Sequence, residues 1–134
     1  KPELQNPSRI YEQGLMRYNA REYKDAKERF KDVLRLDPKG DLGDNALYWM
    51  GESDYALGDY QSALEAFTRV LNYATTEKDD DAQLKLGLCH LRIGDRSLAL
   101  IELKRLLVDY PESEYVQRAE ELIRSVGKEY KPEP

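Results

Sequence analysis

Apolar residues recur along most of the chain at steps of three and four, and no stretch alternates apolar and polar with period two. The spacing predicts amphipathic helices and no strands. Ala63, Phe67, Val70 and Leu71 fall at i, i+4, i+7 and i+8, and Ala99, Leu103, Leu106 and Leu107 repeat that spacing. Leu84, Leu88 and Leu91 form a further face, and Leu47, Met50 and Tyr55 part of another. Helices are therefore expected over about 8–20, 42–57 and 80–93, each followed by a second over about 23–36, 60–73 and 96–109. A seventh should follow Pro111, with Ser113 as N-cap and Glu114 in the first turn, where a negative charge suits the helix dipole. Its Val116, Ala119, Leu122, Ile123 and Val126 make one apolar stripe, while Gln117, Arg118, Glu120, Glu121 and Arg124 face away. A helix apolar on one side only suits the end of a stack.

The helices come in a repeating frame. Gly14, Ala26, Phe30 and Pro38 are separated by 12, 4 and 8 residues; Gly51, Ala63, Phe67 and Thr75 keep those intervals, as do Gly87, Ala99, Leu103 and Pro111. The glycines lie 37 and 36 residues apart, and REYKDA, GDYQSA and GDRSLA recur midway. Each copy reads as a helical hairpin. Gly58-Asp59 and Gly94-Asp95 offer a left-handed helix end followed by a cap for the next helix. Pro38 and Pro111 stop the second helices, since proline lacks an N–H and disfavours helix in the residue before it. Pairs of small residues, Gly14/Ala26, Gly51/Ala63 and Gly87/Ala99, would let the helices of each hairpin cross closely, with Phe30, Phe67 and Leu103 filling the space beside them. A role of that kind explains a mid-helix Gly that otherwise costs about 1 kcal/mol.

Composition narrows the function classes. The 134 residues suit one domain or a short stack of repeats. Lys and Arg number 21 against 26 acidic residues, and no basic block occurs, so a nucleic-acid backbone finds no positive stripe. No apolar run approaches the ~18 residues a spanning helix needs. The chain opens on Lys1 without a secretory signal, and is expected to be a mature or excised piece of something longer. One Cys and one His cannot build a structural zinc site, and the adjacent pair Cys89 and His90 would point about 100° apart on a helix. An inert thiol beside a surface or interface imidazole is the reading. Asp79–Asp81 lack the ligand spacing and glycine of a calcium loop and read as a helix N-terminal cap. No metal, cofactor or catalytic residue is expected, because no polar constellation of a catalytic kind can be drawn from the sequence.

These residues resemble the tetratricopeptide repeat: a Gly, an Ala-x-x-x-Phe and a closing Pro at that family's intervals, over about 8–126. The family's early Trp is replaced by Ile10, Leu47 and Gln83, the second repeat has Thr75 for Pro, and the Tyr expected three residues after the Gly comes one later, as Tyr18 and Tyr55, with Leu91 in the third copy. The resemblance implies an all-α, right-handed superhelix of three hairpins plus a capping helix, seven helices in all. The boundaries expected are a tail at 1–7, repeats at about 7–40, 44–77 and 80–113, a capping helix at 114–126, and a tail at 127–134.

A narrower likeness rests on NALYWMGESDYALGDYQSALEAFTRVL at 45–71 and on the YP-x-S-x-Y ending within 81–123. Both are similar to the Tol–Pal system proteins of the YbgF (CpoB) family, and the ending also to BamD-like outer-membrane assembly lipoproteins. The first likeness implies a periplasmic, non-enzymatic protein of cell division and envelope integrity that contacts a TolA-like partner. It also implies a trimerising coiled coil upstream; residues 1–7 carry no heptads, so this chain is expected to be monomeric, and a full-length protein oligomeric through that segment. The second implies a structural scaffold or a self-associating adaptor.

Stacked hairpins bind partners along the face of their first helices. The family's groove positions fall here on Tyr11, Leu15 and Asn19, on Tyr48, Glu52 and Tyr55, and on Leu84, Lys85, Leu88 and Arg92. The set is largely apolar and aromatic and suits a helix or an extended apolar segment. Positions that clamp a C-terminal carboxylate in chaperone-binding relatives carry Tyr11, Leu15, Trp49 and Asp81 with only Lys85 basic, so no such clamp is expected. Trp49, next to Tyr48, is expected to face elsewhere and pack in the core.

Overall fold

The structure, a computed structural model, describes residues 6–73 and 77–129. Among these residues seven helices run in chain order: α1 Pro7–Asn19, α2 Tyr23–Leu36, α3 Asp41–Leu57, α4 Tyr60–Leu71, α5 Asp79–Ile93, α6 Arg96–Asp109 and α7 Val116–Glu129. Among the described residues there is no strand. Each helix packs on its neighbours in sequence, and α1 also touches α3. The result is three hairpins stacked in order with α7 on the last. Thr75 lies outside the described residues.

Local chemistry sets the helix ends. The Asn6 side chain accepts from the Ser8 N–H at 3.0 Å and Pro7 opens α1, a cap the repeat pattern did not mark. Gly58 and Gly94 end α3 and α5 at φ 81° and 98°, and Asp59 and Asp95 then accept from the N–H groups of Ser62 and Leu98. The first repeat has Arg21 at the equivalent place, with φ 62°. Asp37 and Tyr110, the residues before Pro38 and Pro111, take nearly the same non-helical conformation, φ −137° and −131°, and stop α2 and α6 there.

Each mid-helix glycine accommodates a side chain of its partner helix. A Cβ on Gly14 would stand 2.6 Å from the Phe30 ring, one on Gly51 2.8 Å from the Phe67 ring, and one on Gly87 2.6 Å from Leu103. The large residue therefore lies over the glycine itself instead of beside it. Ala26, Ala63 and Ala99 are fully buried. Gly43, which the repeat pattern did not single out, faces the Asp37 carbonyl so closely that a Cβ there has no room.

The buried residues form two clusters. One runs from Ile10 on α1 through α2, α3 and α4 to Leu86 and Cys89 on α5. The other joins Leu84, Leu103, Leu106 and Ala119, so α7 covers the open edge of the third hairpin. A half-buried ion pair, Lys27 to buried Asp54 at 2.7 Å, ties α2 to α3.

Three expectations are corrected. α7 begins at Val116 and extends to Glu129, both ends later than expected; Ser113 accepts from the Tyr115 N–H at 3.0 Å in the turn before the helix, and its hydroxyl also donates to Asp80 at 2.7 Å. Asp79–Asp81 occupy the first turn of α5, where they complement the dipole, whereas the N-cap is Lys78. Finally, α6 is apolar on more than one side: Leu98, Ile101 and Val108 remain exposed.

Candidate peptide groove

The first helices α1, α3 and α5 place a continuous strip of side chains across three hairpins. On α1, Tyr11 packs edge-on against Phe30 and Tyr18 against Tyr23, with ring centroids 5.8 and 5.2 Å apart. Tyr18 also meets Trp49 of α3 at 5.0 Å, and Trp49 stacks on Phe30 at 6.4 Å. Burial raises the Tyr18 hydroxyl to about 12, with nearby Glu52 adding to the shift. Lys78 lies over the rings of Tyr48 and Trp49, at 5.0 and 5.9 Å.

Charges take over toward α5. The Lys85 ammonium donates to Glu52 at 2.7 Å and lies 3.9 Å from Asp81, too far for a hydrogen bond. Burial raises the Glu52 carboxyl above its ordinary value despite the pull of Lys85. Asp81 in turn accepts from the Tyr115 hydroxyl of the α6–α7 turn at 2.8 Å, and this bond, with burial, raises the Tyr115 pKa. At the far end Arg92 donates to the Tyr55 hydroxyl at 3.3 Å, and its guanidinium lies 5.9 Å from the Tyr55 and Tyr60 rings. The strip thus offers half-exposed aromatic rings beside fixed opposite charges, a surface able to hold both apolar and polar groups of a chain laid across it.

Of the ten groove positions read from the sequence, the structure brings Glu52, Tyr55, Lys85 and Arg92 into this network and leaves Tyr11, Leu15 and Leu88 half-buried on the same helices. Asn19 is exposed at the end of α1. Two are corrected. Tyr48 is only 4% exposed: its ring packs on Phe67 and Trp49, and burial, followed by the carboxylates of Glu52 and Asp81, drives its hydroxyl far above the usual tyrosine range. Leu84 is 5% exposed and belongs to the core beneath α7. Tyr11, Tyr48 and Leu84 occupy one repeat position, which is half-buried in the first hairpin and buried in the two later ones.

Trp49, expected in the core, does pack against it, but stays half-buried among the rings of Tyr18, Phe30 and Tyr48. The signal was present, since Trp49 stands two residues before Gly51 as Lys85 stands two before Gly87. Cys89 is fully buried, which raises its thiol to about 12, and neighbouring His90 borders a separate crevice between α4 and α6.

A family model for the tetratricopeptide repeat matches residues 48–114. No curated protein matches the chain. Among solved structures, the Yersinia enterocolitica type III secretion chaperone SycD, in complex with a peptide of the translocator YopD, aligns at TM-score 0.78 and 19% identity over 92% of this chain and 94% of that one. MamA aligns at 0.81 and 22% identity over 95% of this chain and 70% of that one. The first repeat domain of Spaghetti (RPAP3), bound to the HSP90 peptide SRMEEVD, aligns at 0.76 and 14% identity over 92% of each chain. At these identities the likeness is one of fold.

Proposed function

The chain belongs to the tetratricopeptide repeat family, and from that premise we propose that it is a non-catalytic docking module which holds a segment of a partner protein along α1, α3 and α5. The observation that carries the reading is the continuous strip from Tyr11 and Tyr18 through Trp49 to Glu52, Lys85, Tyr55 and Arg92. Two fold neighbours, SycD and Spaghetti, hold peptides of other proteins, which supports a segment as ligand. The phrases at 45–71 and 81–123 support the finer reading: a periplasmic envelope protein of the Tol–Pal type, its partner a TolA-like segment.

Trp49 is the sole tryptophan and reports directly on this strip. Titration with TolA-type envelope segments is expected to change its fluorescence saturably, and Tyr55→Ala combined with Arg92→Ala to weaken binding at least about tenfold while the helical signal persists. Unchanged affinity in that variant would reject the groove. Binding of unrelated segments with TolA-type ones inert would retain the groove and reject the envelope partner.

A further inference from the structure

Arg92 is not a requirement of the repeat. It stands five residues after Gly87, and the places five after Gly14 and Gly51 carry Asn19 and Ala56. Its side chain is exposed, yet the preceding hairpin holds it. The Nε donates to the Tyr55 hydroxyl at 3.3 Å, and the guanidinium lies 5.9 Å from the Tyr55 and Tyr60 rings. Those rings meet edge-on at 5.2 Å, as Tyr18 and Tyr23 do one hairpin earlier. Aromatic faces attract a cation without cancelling its charge. Among the described residues no carboxylate pairs with Arg92, and its two Nη groups make no hydrogen bond. The acidic groups of the adjoining turns act as helix caps instead, Asp59 accepting from the Ser62 N–H and Asp95 from the Leu98 N–H. Lys85, in the same strip, is by contrast answered by Glu52 at 2.7 Å. Arg17, Arg29, Arg35 and Arg105 each meet a carboxylate as well.

Resting on the docking function above, we propose that Arg92 sets the specificity of the groove by receiving the carboxylate of an acidic residue in the partner segment. A guanidinium presents a planar fork of N–H groups that fits a carboxylate with two bonds. A fork already held against two rings loses little freedom when the carboxylate arrives. The apolar part of the segment then lies on Tyr18 and Trp49, and its acidic residue at the α5 end of the strip. A segment with a basic residue at that place meets a like charge. The occupant is thus an apolar segment with one acidic residue at a fixed position.

Selection from a library of random peptides of about 12 residues, panned on the 134-residue chain, tests this. The tightest binders are expected to share Asp or Glu at one fixed position. Replacing that acid by its amide should weaken binding about tenfold, read from Trp49 fluorescence. Arg92→Gln should weaken the acidic peptide by the same factor and leave the amide form unaffected. Arg92→Glu should reverse the preference, so that lysine at that peptide position binds better than the acid. Both variants change an exposed side chain and are expected to keep the helical signal. Binders that share no acid, or an acid whose removal costs the wild-type chain and Arg92→Gln equally, overturn the proposal while the groove stands. A purely structural Arg92 would weaken the acidic and amide peptides alike on substitution, and that result also overturns it. A library that yields no binder rejects the groove and this proposal together.

Discussion

Arg21 occupies the place taken by Gly58 and Gly94 in the later repeats and shares their positive φ. A left-handed backbone costs a residue with a Cβ roughly 1–2 kcal/mol, while glycine gives back part of that through a looser unfolded chain. Arg21→Gly is therefore expected to raise stability by about 0.5–1 kcal/mol in urea unfolding; a loss of stability would show that the Arg21 side chain contributes more than its exposed position suggests. Asp54 makes the complementary point. It stands where the family places a tyrosine and is buried, yet Lys27 from the neighbouring hairpin meets it at 2.7 Å. The cost of desolvating that carboxylate, which raises its pKa, is offset only because α2 brings a cation to the same point.

Between elements, the Lys85–Glu52 bond joins α5 to α3 on the groove side, together with Arg92 and Tyr55. Burial raises the Glu52 carboxyl, so the folded chain binds a proton more readily than the unfolded one. Stability from this group accordingly falls as pH rises from the ordinary carboxylate value of 4.5 through the raised one. Lys85→Met removes the cation that offsets burial and raises Glu52 further. The variant is expected to lose about 1.5–3 kcal/mol at neutral pH and much less at pH near 4, where Glu52 is protonated in both states. Equal losses at both pH values in denaturant melts would place the effect in packing instead of charge. The glycine crossings follow a similar logic of paired elements: Gly51 accommodates the Phe67 ring only because α3 and α4 lie close enough for the ring to occupy the missing Cβ.

At the scale of the molecule, stability passes from hairpin to hairpin through sequential contacts, and the stack ends at α7. Removal of 114–134 would expose Leu84, Leu103 and Leu106, which α7 covers through Ala119 and its neighbours. That truncation is expected to lower the melting temperature and to produce concentration-dependent aggregation in light scattering. An unchanged melting curve with a monomeric product would show that α7 is dispensable.

By itself the sequence determined the seven helices, their pairing and their turns, because these depend on local quantities: apolar spacing, glycine at a left-handed end, proline after a stop. It also marked Glu52, Tyr55, Lys85 and Arg92 by their place in the repeat. Tertiary structure decided what periodicity cannot carry, namely how deeply each equivalent position is covered. Tyr48 and Leu84 share a repeat position with Tyr11 but are buried where it is half-buried, Leu84 beneath α7. Trp49 entered the strip because a first helix contacts both adjacent hairpins, so its inward arc is wider than the 100° step from Tyr48. Ser113 donates to Asp80, 33 residues away, as well as accepting from the start of its own helix, and α6 keeps Leu98, Ile101 and Val108 exposed among the described residues. In each case the deciding partner lies on another helix, and local spacing contains no record of it.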